Sequence, residues 1–150
     1  MFNFQTLVSD LTGLPLANCS LLDEATSAAE AVTMMRNLRS REQVKNGVCK
    51  VFVDEKIFPN TLSVMRTRAM GQGIELVVGR YADFEPTAEF FGALVQLPNA
   101  DGAVEDYTAF IEDCHAAGLK VTVVADLLSL VLLKPLDADI VCGTAQRLGL

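Results

Sequence analysis

Few side chains in this sequence have the type and placement for chemistry, and each also has a plain structural role. Asp126 follows the apolar run Val121-Thr122-Val123-Val124-Ala125, which predicts a buried parallel strand with a carboxylate at its carboxyl end. Ligands of open α/β sheets bind outside those strand ends. There an aspartate can hold a protonated ring nitrogen or a hydroxyl, or it can cap a helix over Leu127–Leu133; position alone favours neither. His115 is the single histidine, so it is the only candidate for a catalytic or ligating imidazole. It precedes Ala116-Ala117-Gly118, where a cation complements a helix carboxyl end, and that structural role is favoured. Gly71-Gln72-Gly73 invites comparison with a dinucleotide loop, but these glycines precede a strand and lack the third glycine. The sequence contains no GxxxxGK[ST] and no GxSxG.

The segment Ser20-Leu21-Leu22-Asp23-Glu24-Ala25-Thr26 carries two competing helix starts. Ser20 with Asp23 fits a capping box, and Asp23 itself can begin a helix three residues later. In both cases a helix runs through Ala28, Ala29, Ala31 and Met34 to about Leu38. Helix amino termini attract anions, but Asp23 and Glu24 already fill this one with negative charge and repel a phosphate.

The elements that position these residues follow from periodicity. β-rich runs recur at Lys50–Val53, Ile74–Val78, Ala93–Leu97, Lys120–Ala125 and Asp139–Cys142. Between them, Phe58–Met70 starts with a favourable Pro59 and ends at Gly71. Val104, Tyr107, Ile111 and Cys114 follow a helical period that Gly118 closes. Strands separated by helices require crossovers, which are right-handed in parallel sheets. The fold class is therefore α/β, a three-layer, mainly parallel sheet.

With 150 residues the chain has the length of one domain. Hydrophobic residues make up 51% and charged residues 21%, which excludes a disordered chain. Nineteen acidic against 12 basic residues give a net charge of −7, which speaks against nucleic acid and anionic membranes. Four cysteines at 19, 49, 114 and 142 form no CxxC pair, so a zinc site is disfavoured and reduced, buried thiols are expected. The apolar run Leu127–Leu133 is far too short to span a bilayer. With no signal peptide read at the start, a cytoplasmic setting is expected. Both ends read as interrupted: an apolar stripe of Phe4, Leu7, Val8 and Leu11 starts almost at residue 1, and the chain stops just past a strand. Residues 1–150 are expected to be one incomplete segment of a larger domain. Its uncovered apolar faces predict a homo-oligomer.

The sequence resembles the glycine cleavage P-protein family, the pyridoxal-phosphate glycine dehydrogenases (decarboxylating). The resemblance rests on Asn3–Asp10, Leu11-Thr12-Gly13-Leu14-Pro15 and, above all, Ala17–Thr26 followed by Ala28-Ala29-Glu30-Ala31. Val104-Glu105-Asp106-Tyr107, His115–Gly118, Ala125–Leu130, Asp139-Ile140 through Gly143, and Gln146-Arg147 continue it in order. It covers essentially the whole chain and is specific to the inner part of the family's N-terminal half. It implies the large-domain fold of fold-type-I, aminotransferase-like enzymes. It also implies decarboxylation of glycine on pyridoxal phosphate, with the aminomethyl group passing to lipoyl H-protein.

Carried over residue by residue, the resemblance puts Gln146 at the Schiff-base lysine position, and a carboxamide cannot form an imine. Asp126 matches the aspartate that holds the pyridine nitrogen. Ala25-Thr26-Ser27 match the loop that grips the phosphate, with Thr26 as a degenerate cofactor contact. The resemblance thus implies a half with no catalytic residue and no bound cofactor. It would meet the catalytic half through Leu22, Asp23, Glu24 and Thr26. The family usually has phenylalanine at the place of Leu148 and a loop about three residues longer between Pro135 and Asp139. Two other functions remain open on these residues. One is a structural or regulatory partner half of such an enzyme; the other is a free-standing ligand-binding domain centred on Asp126.

Overall fold

Apolar runs flanked by charged or turn residues become strands wherever both of their faces can be covered. The computed structural model describes residues 2–18 and 21–149. Five parallel strands form one sheet in the order β2-β1-β3-β4-β5. They are β1 (Lys50–Asp54), β2 (Glu75–Gly79), β3 (Phe90–Leu97), β4 (Lys120–Asp126) and β5 (Ile140–Thr144). The helices are α1 (Phe2–Thr12), α2 (Glu24–Asn37), α3 (Arg41–Lys45), α4 (Pro59–Met70) and α5 (Thr108–Ala116).

Side chains alternate along β3 and sort into two cores. Phe90, Ala93, Val95 and Leu97 pack with Tyr107, Phe110 and Ile111 around α5, and Val8 and Leu11 of α1 join that face. Phe91 and Leu94 pack with Ala28, Val32 and Met35 of α2 and Met65 of α4. The chain moves outward from β1 to β2 through α4 and in the opposite direction from β3 to β4 through α5. Right-handed crossovers running in opposite directions put their helices on opposite faces, which makes three layers. Met35 and Met65 are fully covered, each worth about 1.5–3 kcal/mol of burial. Met35 can come this close because position 92 is glycine: a Cβ there would lie 2.7 Å from the Met35 Sδ.

The structure departs from the periodicity in several places. The Val104–Ala117 helix begins only at Thr108, because Asp106 Oδ1 accepts from the Thr108 N–H at 3.0 Å and sets a turn there. The helix at Leu127–Leu133 reduces to a single 3-10 turn, Ser129–Val131, followed within a few residues by Pro135. The third strand starts at Phe90 rather than Ala93. Helix α3 was not apparent from the apolar pattern, since none of its residues is buried. Cys114 is buried, whereas Cys49 and Cys142 are only partly so, and Cys19 lies outside the described residues. Among the described residues no helix is long and apolar enough to cross a membrane, and no group of His, Cys, Asp and Glu forms a metal site.

Candidate functional site

The carboxyl edge of the sheet gathers Asp54 from β1, Gln96 from β3, Asp126 from β4 and Thr144 from β5. Asp126 pairs with Thr144, and Gln96 with Val124, in strand register. The first turn of α2 lies over this edge on the face of the second core. Asp23 is its cap: Oδ1 accepts from the Thr26 N–H at 2.7 Å with extended backbone at residue 23. Of the two starts legible in the sequence, the structure therefore shows the one at Asp23; the Ser20 capping box lies outside the described residues. The Thr26 backbone hydrogen bond, helped by its side chain, holds the Asp23 carboxyl below its ordinary value.

Asp126 uses both of its oxygens. Oδ1 accepts from the Leu128 N–H at 3.0 Å, and Oδ2 is 2.6 Å from Nη1 of Arg147. Instead of capping a helix over Leu127–Leu133, Asp126 holds a local turn, and a guanidinium from beyond β5 takes the other oxygen. Gln146 opens the 3-10 turn Gln146–Leu148 just after β5. Its N–H donates to Thr144 Oγ1 at 3.2 Å.

Glu24, beside the cap, is half-buried. Burial raises its carboxyl above the ordinary value, the nearby Gln96 carboxamide offsets part of this, and Asp126 and Asp23 add to the rise. Gln96 is 1% exposed, and neither its amide nitrogen nor its oxygen has a hydrogen-bond partner. On the opposite face of the same edge, Asp54 is buried with Oδ1 accepting from the Tyr81 N–H at 3.0 Å. Tyr107 donates to the Gln96 carbonyl at 3.0 Å.

Sequence reasoning passed over Gln96, yet its signal was available: one carboxamide inside the otherwise apolar run Phe90–Leu97. The remaining candidates sit elsewhere. His115 is at the opposite, amino edge, 2.8 Å from Asp139, which also takes Lys120 at 2.7 Å and the Val121 N–H at 2.8 Å. Gly71 and Gly73 end α4 and lead into β2, so they open no helix.

Pyridoxal phosphate makes three demands that these residues can be tested against. It needs an amine for its aldehyde, an acceptor free to meet its ring nitrogen, and donors for its phosphate. Gln146, the residue that the resemblance sets at the first position, is a carboxamide. Asp126 is already paired with Arg147 and the Leu128 amide. At the amino terminus of α2, Asp23 occupies the Thr26 N–H and Glu24 adds a second carboxylate. The residues present do not fit the cofactor.

The family model described as "Glycine cleavage system P-protein" matches residues 1–150. A glycine dehydrogenase (decarboxylating) from Bacteroides thetaiotaomicron is 62% identical over 152 residues, 99% of this chain and 16% of the relative. One from Christiangramia forsetii is 48% identical over 153 residues, 100% of this chain and 16% of the relative. A crystal structure of glycine decarboxylase (P-protein) of the glycine cleavage system, in inhibitor-bound form, superposes with a TM-score of 0.86 at 36% identity, over 99% of this chain and 34% of that one. The chain thus spans about one-sixth of the length of the curated relatives it matches.

Proposed function

Because the chain belongs to the glycine cleavage system P-protein family, we propose that it is part of a glycine dehydrogenase (decarboxylating), within the half that completes the catalytic site without holding the cofactor. The complete protein uses pyridoxal phosphate bound to the catalytic half, decarboxylates glycine there and passes the aminomethyl group to lipoyl H-protein. Residues 1–150 are one incomplete segment of the large domain, inactive alone, in a cytoplasmic and oligomeric protein.

The observation that carries this reading is the state of Asp126. The carboxylate at the place where a ring nitrogen would be met is occupied by Arg147 at 2.6 Å, and Gln146, two residues past β5, is an amide. What this chain offers outward is the segment at the start of α2. Leu22 is 86% exposed there, and Asp23 is fixed by its bond to the Thr26 N–H. A rigid helix start with an apolar residue ahead of it suits a wall built against another part of the protein.

The test is made in the complete protein. Asp23→Ala and Thr26→Ala should depress release of labelled carbon dioxide from carboxyl-labelled glycine while the far-UV spectrum stays native. Loss of the cap costs only about 1 kcal/mol of stability, too little to unfold a large enzyme. Undiminished turnover in both variants would refute the reading, as would borohydride fixing the cofactor to a side chain within residues 1–150.

A further inference from the structure

Positive charge is concentrated in one place on this acidic chain. Residues 36–47, the end of α2 and all of α3, carry four cations, Arg36, Arg39, Arg41 and Lys45, against the single carboxylate of Glu42. The other 138 residues carry eight cations against 18 carboxylates. Of those eight, Lys50, Lys56, Arg68, Arg80, Lys120 and Arg147 each meet a carboxylate. Among the described residues none of the four at the end of α2 and on α3 does. Arg39 is satisfied by main chain: its Nε donates to the Arg36 carbonyl at 2.7 Å and its Nη1 to the Val48 carbonyl. Arg36, Arg41 and Lys45 keep their charge uncompensated.

Local stability does not account for this arrangement. A cation suits the carboxyl end of a helix, so Arg36 complements α2 and Lys45 complements α3. Arg41 stands at the first position of α3, the wrong end for a cation. It also lies four residues ahead of Lys45, where like charges share a helix face and repel. Val44 belongs to that same face and is 55% exposed, and Leu38, just ahead of α3, is 51% exposed. Helix α3 buries no residue and is held by its capping box, so it is an ordered turn that serves no core. Beside it opens a hollow of about 620 Å³ whose lining includes Val48, Cys49 and Ala88.

We propose that the end of α2 together with α3 is a docking surface for a short acidic segment of a separate protein, one that carries an apolar side chain among its carboxylates. The carboxylates would meet Arg36, Arg41 and Lys45, and the apolar side chain would lie against Leu38 and Val44. A nucleic acid or an anionic membrane extends its charge well beyond four cations, onto a surface that is otherwise strongly negative and repels it. A short acidic segment ends where the patch ends. Permanent interfaces are depleted of charge at their centres, whereas charged surfaces steer transient encounters, so the mixture of cations with half-exposed apolar groups fits a partner that comes and goes. The surface lies at the amino edge of the sheet, where β1 begins, away from the Asp126 edge. It does not depend on the function proposed above.

The test is a titration of the full-length protein with a fluorescein-labelled synthetic peptide of glutamate pairs separated by leucines, read by fluorescence anisotropy. The peptide should bind, and its glutamine counterpart should not. Affinity should fall about tenfold in the double variant Arg41→Glu, Lys45→Glu, fall less in Val44→Asp, and hold in the control Arg66→Glu, Lys134→Glu. Raising the salt from about 0.1 M to about 1 M should weaken binding, since exposed charges are screened. Because α3 buries nothing, these variants should keep a native far-UV spectrum. Failure of the acidic peptide to bind, or binding that the Arg41→Glu, Lys45→Glu variant leaves intact, would overturn the proposal. So would displacement of the peptide by phosphatidylserine vesicles or single-stranded DNA at equal charge concentration. Carbodiimide coupling of Lys45 to a carboxylate of the same protein, with no peptide present, would show the surface already covered and would overturn it too.

Discussion

Replacing Gly143 with alanine tests how strand β5 is attached to the sheet. Gly143 has φ +156°, and a Cβ there would lie 1.7 Å from the Ala125 carbonyl oxygen and 2.8 Å from its carbon. Ala125 is its register partner on β4, so backbone meets backbone and no side chain can rotate away. Non-bonded contacts settle at about 3.5 Å or more, so β5 must retreat by more than an ångström. Overpacking of this kind costs about 1–3 kcal/mol, and the backbone conformation adds about 1–3 kcal/mol. A total of about 4 kcal/mol lowers the melting temperature of a chain of this length by about 8–16 °C.

The matched control is Gly118→Ala. Its φ is +79° but nothing lies within 4 Å of the added carbon, so only the backbone penalty of about 1–2 kcal/mol applies. Urea unfolding followed by far-UV circular dichroism measures both variants. Hydrogen exchange should also quicken at the Leu127 amide, which donates to the Thr144 carbonyl. A Gly143→Ala variant no less stable than Gly118→Ala would refute the argument from close approach.

Two further outcomes follow from the electrostatics. Burial alone would lift the Asp139 carboxyl, but Lys120, the Val121 amide and His115 outweigh it and hold it below the ordinary 3.8. The unfolded chain therefore takes up this proton first, so the stabilisation is complete above pH 3.8 and is lost as pH falls through the folded value. Asp139→Asn should flatten that acid limb in urea titrations at several pH values and cost about 1–3 kcal/mol near neutrality. Burial also pushes the thiols of Cys114 and Cys142 up to about 12, although Cys142 as a residue is only partly covered. Iodoacetamide at pH 8 should therefore alkylate Cys49 well before either of them, as read by peptide mapping.

Strands β1 and β4 were legible because a parallel strand covered on both faces must be almost continuously apolar, and Val51-Phe52-Val53 and, Thr122 apart, Val121–Ala125 are. Helix α3 was not, because it buries nothing. It is held by a capping box between Ser40 and Gln43, and that S-x-x-Q spacing was the signal to read. At Asp126 the sequence allowed a helix cap or a ligand contact with equal force. The guanidinium that takes its second oxygen comes from position 147, beyond a crossover and a strand, a distance no local pattern reports. The anion-repelling character of the α2 terminus was readable from Asp23 and Glu24 alone. The carboxamide beneath it was legible as one polar residue inside the run Phe90–Leu97, but its neighbours emerge only once the layers are packed.

Among the described residues, the β5 strand is paired on one side only, with β4. Its outer row of amides and carbonyls is thus a ready template, and Ile140–Thr144 contains no charged residue or proline to discourage an incoming strand. This polypeptide thus carries a liability rooted in its main chain rather than its side chains. Such a lateral seam invites sheet extension, copy upon copy, and a lysine grafted onto its rim is the simplest means of keeping the polypeptide in solution.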